Sequence, residues 1–283
     1  MAPRGRVRQG LEWGLSHRSD STCQRRGIDG SRKTTAGRLR CKGAGLHYHS
    51  PLVRWREGRG GPLGDVSNWE LADGELARRI EALNLVGLRS LLVALVVSSL
   101  GRKADGDTLP PMPDEAALRA LHSAATVFLL ERPGAYRQSN VKLRQAGGAL
   151  LRPPPWKAVP GLMAGFFVEL ERIWTQGDAL DVAAYALWRI TWIHPFRDGN
   201  GRTAFAFAYG CLCLKLGALL PQTGTVLDQM LADPAQCNGP LGAADTSVGG
   251  DADRAPDLTS LKGFYDQLLL RQIQAAEGLA AAP

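Results

Sequence analysis

Cysteine is scarce: there are five, Cys23, Cys41, Cys211, Cys213 and Cys237, an odd number with no framework spacing. Cys211 and Cys213 stand two apart on a helical pattern and point in different directions, so they cannot bridge each other. This excludes a disulfide-stapled scaffold and points to reduced thiols in an intracellular protein. Long hydrophobic runs are also missing. The longest, Leu91 to Val97, is too short to span a bilayer, and no N-terminal stretch has the apolar core of a secretory signal. The expectation is a soluble, cytoplasmic protein with no membrane partner. Acidic residues are rare at the start, where residues 1–60 hold 4 of the 27 Asp+Glu but 14 of the 34 Lys+Arg. The net charge of +7 therefore belongs to the N-terminal segment, and the rest is mildly acidic. That argues against nucleic acid as the main ligand of the domain, leaving it only the basic N-terminal arm. No internal repeat is present.

What remains is a helical pattern with one interruption. Residues 1–64 are rich in Arg, Gly and Ser without periodicity and read as a disordered extension, with a nucleic-acid or anionic-surface tail as the alternative. Cys23, Cys41, His47 and His49 match no common zinc spacing. Residues 65–113 form an N-terminal helical segment. Asp73 is placed to cap a helix from Gly74 that runs through Leu100 and stops at Gly101. A proline-rich linker, Gly106 to Pro113, follows. Residues 114–235 read as the domain core. Asp114 caps a helix predicted over Glu115 to Leu130, in which His122 reads as a surface or core histidine. Tyr136 to Leu143 changes period and precedes Gly147-Gly148 and Ala149 to Arg152, which predicts a short β-hairpin closed by Pro153-Pro154-Pro155. Helices are predicted over Val159 to Trp174, over Val182 to Ile193 with Asp181 as cap, over Thr203 to Leu216, and briefly over Val226 to Leu231. Residues 236–283 are expected to be a loop, Asn238 to Pro256, and a last amphipathic helix, Leu258 to Ala276. The fold class is all-α with a small β-hairpin.

Between the two most apolar helices lies His194-Pro195-Phe196-Arg197-Asp198-Gly199-Asn200-Gly201-Arg202. Gly199, Asn200 and Gly201 can aim backbone N–H groups at one point, an anion nest. The helix that follows adds unpaired N–H groups and a positive dipole end. Arg202 falls in its first turn, where a cation opposes the dipole and calls for an anionic partner. Asp198 is a hard oxygen ligand suited to Mg²⁺ held mostly by phosphates and water. His194 can accept a proton near neutrality. A base, a metal carboxylate and a phosphate cradle describe phosphoryl or nucleotidyl transfer to a hydroxyl.

These nine residues match, position for position, the HPFx(D/E)GNGR signature, and the chain resembles the Fic (Fic/Doc) family, most of whose members are AMP transferases acting on Ser, Thr or Tyr hydroxyls of proteins. The resemblance implies a mainly helical fold with two central helices joined by the catalytic loop. It implies ATP as donor and Mg²⁺ as cofactor. His194 would take the hydroxyl proton, Asp198 would hold Mg²⁺, Gly199, Asn200 and Gly201 would steady the α-phosphate, and Arg202 the β-phosphate. Phe196 would anchor the loop. Tyr136-Arg137 and Asn140-Val141 before a proline cluster resemble the family's flap, which implies a protein substrate docked at about residues 136–152 by strand-like pairing.

Two departures stand out. Many members continue GNGRxxR, and their second arginine serves the γ-phosphate; here Phe205 occupies that position. Loss of that charge-assisted contact would cost about 1.5–3 kcal/mol. The family's inhibitory Ser/Thr-x-x-x-Glu-Gly/Asn motif finds no match, the nearest string being Ile273 to Gly278, which lacks the Ser/Thr. The expectation is that the internal brake is absent, with a separate antitoxin-like partner as the remaining source. Phe205 leaves open a different donor (UTP, a CDP-alcohol or the ATP γ-phosphate), or a catalytically weak binding protein on the same scaffold.

Overall fold

The computed structural model describes residues 73–102, 109–144, 150–251 and 254–280, and capping residues and apolar spacing divide these described residues into eight α-helices. The basic segment 1–64, the candidate zinc residues within it, the start of the proline-rich linker and the Gly147-Gly148 turn lie outside the described residues. Helix α1 spans Gly74–Leu100, and the Asp73 carboxylate accepts from the backbone N–H groups of Glu75 and Leu76, satisfying donors that the first turn leaves free. Helix α2 spans Glu115–Thr126 and is capped by Asp114. It is one turn shorter than the apolar spacing predicts. Thr126 turns its hydroxyl back onto the His122 carbonyl, and Phe128 adopts a left-handed φ of 63°, so the chain leaves the helix before Leu129 and Leu130 are buried.

The hairpin follows as two antiparallel strands, β1 Leu143–Arg144 and β2 Leu150–Leu151, with Leu143 opposite Leu151 and Arg144 opposite Leu150. Helix α3 is Val159–Gln176. Helix α4 is Ala179–Ile193 and begins three residues before its expected start. Asp178, rather than Asp181, is the cap, and Asp181 returns the favour by accepting from the Asp178 N–H, a reciprocal box. Helix α5, Asn200–Lys215, also begins earlier than predicted, inside the motif itself. Helix α6 is Val226–Ala232 and α8 is Thr259–Ala280.

The stretch expected to be a loop from Asn238 contains helix α7, Asn238–Val248. Gly239, Pro240 and Gly242 give it weak intrinsic propensity, but Ala244 and Val248 are buried and Asp245 accepts from the Trp188 indole N–H at 3.0 Å. Tertiary contacts with α4 and α8 make it helical.

Helices α4 and α5 pack on each other at the centre, α1 and α2 lie on α5, and α3 and α8 on α4. Thirteen of the sixteen α5 residues are buried, so the helix has no polar face to choose from, and its position is set by packing on all sides. Cys211, Cys213 and Cys237 are free and buried. Helix α1 is long and apolar enough to cross a membrane by length and composition alone. The seven-residue run Leu91 to Val97 understates this, because Asn84, Gly87 and Ser90 interrupt the apolar pattern without adding charge and Arg89 adds a single one. Its Leu88, Leu92 and Val96 belong to the core.

Candidate active site

The motif loop is folded by its own side chains. Helix α4 ends at His194, which sits in the left-handed region (φ 51°, ψ 61°) and closes the helix with its N–H on the Ile190 carbonyl at 2.9 Å. A non-glycine residue there costs on the order of 1–3 kcal/mol and persists because its neighbours over-determine it. Phe196, fully buried, pins the centre of the loop. The Asn200 side chain clasps it on both sides, Oδ1 accepting from the Phe196 N–H at 2.8 Å and Nδ2 donating to the Phe196 carbonyl at 3.0 Å. The Asn200 amide is thus spent on loop shape, and what it can offer an anion is its backbone N–H at the start of α5. Gly199 has φ 72°, and a Cβ there would meet Thr126 Cγ2 at 2.6 Å, so only glycine fits. Gly201 faces open space, leaving room for a ligand to approach the helix start.

Beneath the loop lies His122. Its ring stacks on Phe196 with centroids 3.8 Å apart and an interplanar angle of 11°. The Gly134 N–H donates to its Nδ1 at 2.8 Å. Nδ1 therefore carries no proton, and Nε2–H donates to the Asp198 carbonyl at 2.9 Å. Burial, and after it the Arg202 charge, lower its pKa to about 4 against the opposing pull of the Asp198 carbonyl. The histidine read from sequence as surface or core is a neutral strut under the site.

At the mouth, Asp198 accepts from the Gly199 N–H through Oδ1 at 2.7 Å. Its Oδ2 is buried with no hydrogen-bond donor, and the Arg202 Nη2 stands 3.6 Å from it. A buried carboxylate oxygen without a donor is costly unless a cation meets it, so the residue fits a Mg²⁺ ligand. Among the described residues no group of three or more His, Cys, Asp or Glu gathers to hold a metal. One carboxylate with phosphate and water ligands is the arrangement Mg²⁺ prefers.

His194 is half-buried. Burial first and the Arg137 charge second bring its pKa down to about 4, against a hydrogen bond with the Thr191 backbone that raises it. The imidazole is neutral at pH 7 and able to accept a proton.

Arg202 is held away from any ligand. Its Nη1 contacts Glu81 Oε1 at 2.8 Å and donates to the Ala125 carbonyl at 3.2 Å. Glu81 belongs to α1, and the structure thereby supplies a carboxylate partner to the motif arginine where the motif search expected none. It escaped the search because Ala77 and Ala82 stand where Ser/Thr and Gly/Asn were required. The usable signal was an acid on a helix whose next twenty residues carry one charge, Arg89, itself paired to Asp228 at 2.6 Å. Phe205, one turn beyond Arg202, is buried and presents nothing to a phosphate.

Two buried central helices joined by a loop that offers a neutral histidine, a buried carboxylate oxygen without a hydrogen-bond donor and a helix start make this the mainly helical fold expected of transferases of the Fic type. Residues 113–212 match the sequence model of the Fic/DOC family. In structure the chain is similar to a Fic domain containing signaling protein from Bacteroides thetaiotaomicron, at 20% identity and a TM-score of 0.55, over 74% of this chain and 76% of that one. It is similar to a Fic family protein from Desulfovibrio desulfuricans at 22% identity and a TM-score of 0.50, over 75% of this chain and 68% of that one. It also resembles Fic-1 from C. elegans at 17% identity and a TM-score of 0.50, over 74% of this chain and 55% of that one. Likeness at such identities establishes the fold. No curated protein matches the chain.

Proposed function

We propose that the chain is a protein adenylyltransferase that moves AMP from ATP to a Ser, Thr or Tyr hydroxyl of a protein target. The observation that carries this reading is the Asp198 Oδ2, buried without a donor at the start of α5 and four residues from a neutral His194. In the reaction the target hydroxyl oxygen attacks the α-phosphorus, a new O–P bond forms, and the bond from the α-phosphorus to the bridging oxygen breaks. Pyrophosphate leaves with that electron pair, and the hydroxyl proton passes to the His194 imidazole. Mg²⁺ held by Asp198 and the phosphates would offset charge on the departing pyrophosphate. Gly199, Asn200 and Gly201 would receive the α-phosphate with backbone N–H groups. Arg202 would turn from Glu81 to the β-phosphate. The β1–β2 flap would hold the target segment by main-chain pairing. With Glu81 on Arg202 inside the chain, this reading needs no separate antitoxin-like partner.

The burial of Phe205 favours a second reading, a donor that carries no γ-phosphate or is held in another orientation. Incubation with ATP labelled at the α- or the γ-phosphate separates the two. Label from the α-position on protein supports adenylyl transfer, label from the γ-position supports ATP held in another orientation, and label from neither supports a donor other than ATP. Replacing His194 with Ala is expected to reduce transfer by about 10²–10⁴-fold with the fold retained by circular dichroism; undiminished labelling sinks the base assignment.

A further inference from the structure

The last carbonyls of a helix have no partners within it, and at the end of α4 they belong to the segment that presents His194. Arg137 supplies the donors. Its guanidinium is buried, with 4% of the residue exposed, and Nε donates to the His194 carbonyl at 2.7 Å. Nη2 donates to the Pro154 carbonyl at 2.5 Å and reaches the Ile193 carbonyl at 3.4 Å. Nη1 donates to the Ser139 carbonyl at 3.2 Å. The backbone N–H of Arg137 completes the set on the Pro195 carbonyl at 2.9 Å.

These partners fall in two places. Ile193, His194 and Pro195 are the exit from the central helix. Ser139 and Pro154 are the two legs of the hairpin, tied a second time by the Trp156 N–H on the Asn140 Oδ1 at 3.0 Å. One planar fork therefore joins the hairpin's feet to the backbone of the histidine, a task that five fixed donors can perform and the three rotating donors of a lysine cannot.

The charge of the fork is also unusual. Every hydrogen bond Arg137 donates goes to a carbonyl, and among the described residues it forms no ion pair. A buried cation without a neutralising carboxylate acts on whatever titrates beside it. The influences on the His194 imidazole are its burial, Arg137 from the hairpin side, and the Thr191 backbone from its own helix.

We infer that Arg137 is a positioning residue with two duties: its fork sets the hairpin against His194, and its cation, buried at the His194 backbone, disfavours a second positive charge on that imidazole. The inference rests on the reading of His194 as the base for transfer, and it deepens that reading by naming what holds the base in geometry and protonation state. Burial is the larger influence on His194 and Arg137 the second, so removing the charge moves the titration part of the way, not the whole.

The test compares wild type, Arg137→Lys and Arg137→Gln by histidine-labelled NMR, with the His194 signal assigned from the His194→Ala protein. This readout needs no activity. In Arg137→Gln the His194 titration is expected to move up from about 4 toward its ordinary value of about 6.5. In Arg137→Lys, which keeps the charge, it should remain near wild type. In transfer assays both variants should lose kcat by more than about tenfold at unchanged donor KM, since a misplaced base affects the transition state alone. A His194 titration in Arg137→Gln superimposable on wild type overturns the inference, leaving Arg137 a purely structural residue. Should Arg137→Gln not fold, Arg137→Lys decides, and wild-type kcat in that variant overturns the inference. Transfer that survives in His194→Ala would instead remove the assignment of His194 as the base while leaving the titration result standing.

Discussion

Glu81 and Arg202 form a part-buried pair, with 29% and 14% of their side chains exposed. The pair stands where an incoming phosphate would need the guanidinium. An anion binding at the start of α5 must either displace the carboxylate or sit beside it with its own charge unmatched. Neither alternative is free, because each separates or opposes charges at low local dielectric. Replacing Glu81 with Ala removes the competitor and leaves the Arg202 contact with the Ala125 carbonyl in place. Glu81→Ala is expected to tighten Mg·ATP binding by about tenfold, which corresponds to about 1.4 kcal/mol. Isothermal titration calorimetry with a non-hydrolysable ATP analogue measures it, and an affinity equal to wild type would show that the carboxylate does not compete. The same residue shows the limit of motif reading. His194 to Arg202 were legible because the chemistry is contiguous, but Glu81 is brought to them only by the packing of α1 on α5. Arg137 and His122 were visible in the sequence as a flap residue and a core histidine. Their work on the loop became apparent only from carbonyls that no side-chain pattern reports.

Among elements, α4 ties sequence to site most directly, since its start is set by a cap and its end presents His194. Asp178 and Asp181 exchange backbone and side-chain hydrogen bonds at 2.7 and 2.9 Å, and Lys262 of α8 reaches Asp181 Oδ1 at 2.7 Å. The Asp181 carboxyl titrates below its usual range; burial pushes it upward, but the Lys262 hydrogen bond and the Asp178 N–H together outweigh that. Replacing Asp178 with Ala removes the acceptor for the Asp181 N–H. The expected cost is about 1 kcal/mol, or roughly 2–4 °C in Tm for a domain of this size. Denaturant titration at constant m-value checks it, and a midpoint identical to wild type would mean the cap contributes nothing. Capping aspartates on α1 and α4 and apolar spacing in α3 and α5 made these helices readable to within a few residues. Helix α7 was not readable, because Gly239, Pro240 and Gly242 oppose it locally and burial against α4 and α8 decides in its favour. The early end of α2 and the early start of α5 have separate causes: the Thr126 hydroxyl turns back onto the His122 carbonyl of its own helix, whereas the Asn200 amide clasps Phe196 of the loop on both sides.

Across the whole molecule, acid should act through a histidine that the bundle needs neutral. His122 is fully buried and links α2, the turn at Gly134 and the motif loop through one acceptor and one donor nitrogen. Protonation would put a proton on Nδ1 facing the Gly134 N–H and a charge into the core. Its pKa in the folded chain is about 4, against about 6.5 unfolded. Between those values the unfolded chain binds the proton and the native chain does not, so stability must fall as pH falls. The contribution is fully present above about pH 6.5, declines through the window down to about pH 4, and amounts to about 3 kcal/mol. His194, lowered in the same direction by burial and Arg137, steepens the loss. His122→Gln isolates the effect, because an amide oxygen can accept from the Gly134 N–H and its NH₂ can donate to the Asp198 carbonyl without titrating. Wild type should lose Tm progressively from pH 7 to pH 4.5, while His122→Gln, somewhat less stable at pH 7 for want of the ring stack on Phe196, should lose less over the same range. Differential scanning fluorimetry across that range decides: converging curves support a neutral buried strut, and parallel curves would mean that acid sensitivity originates elsewhere in the bundle.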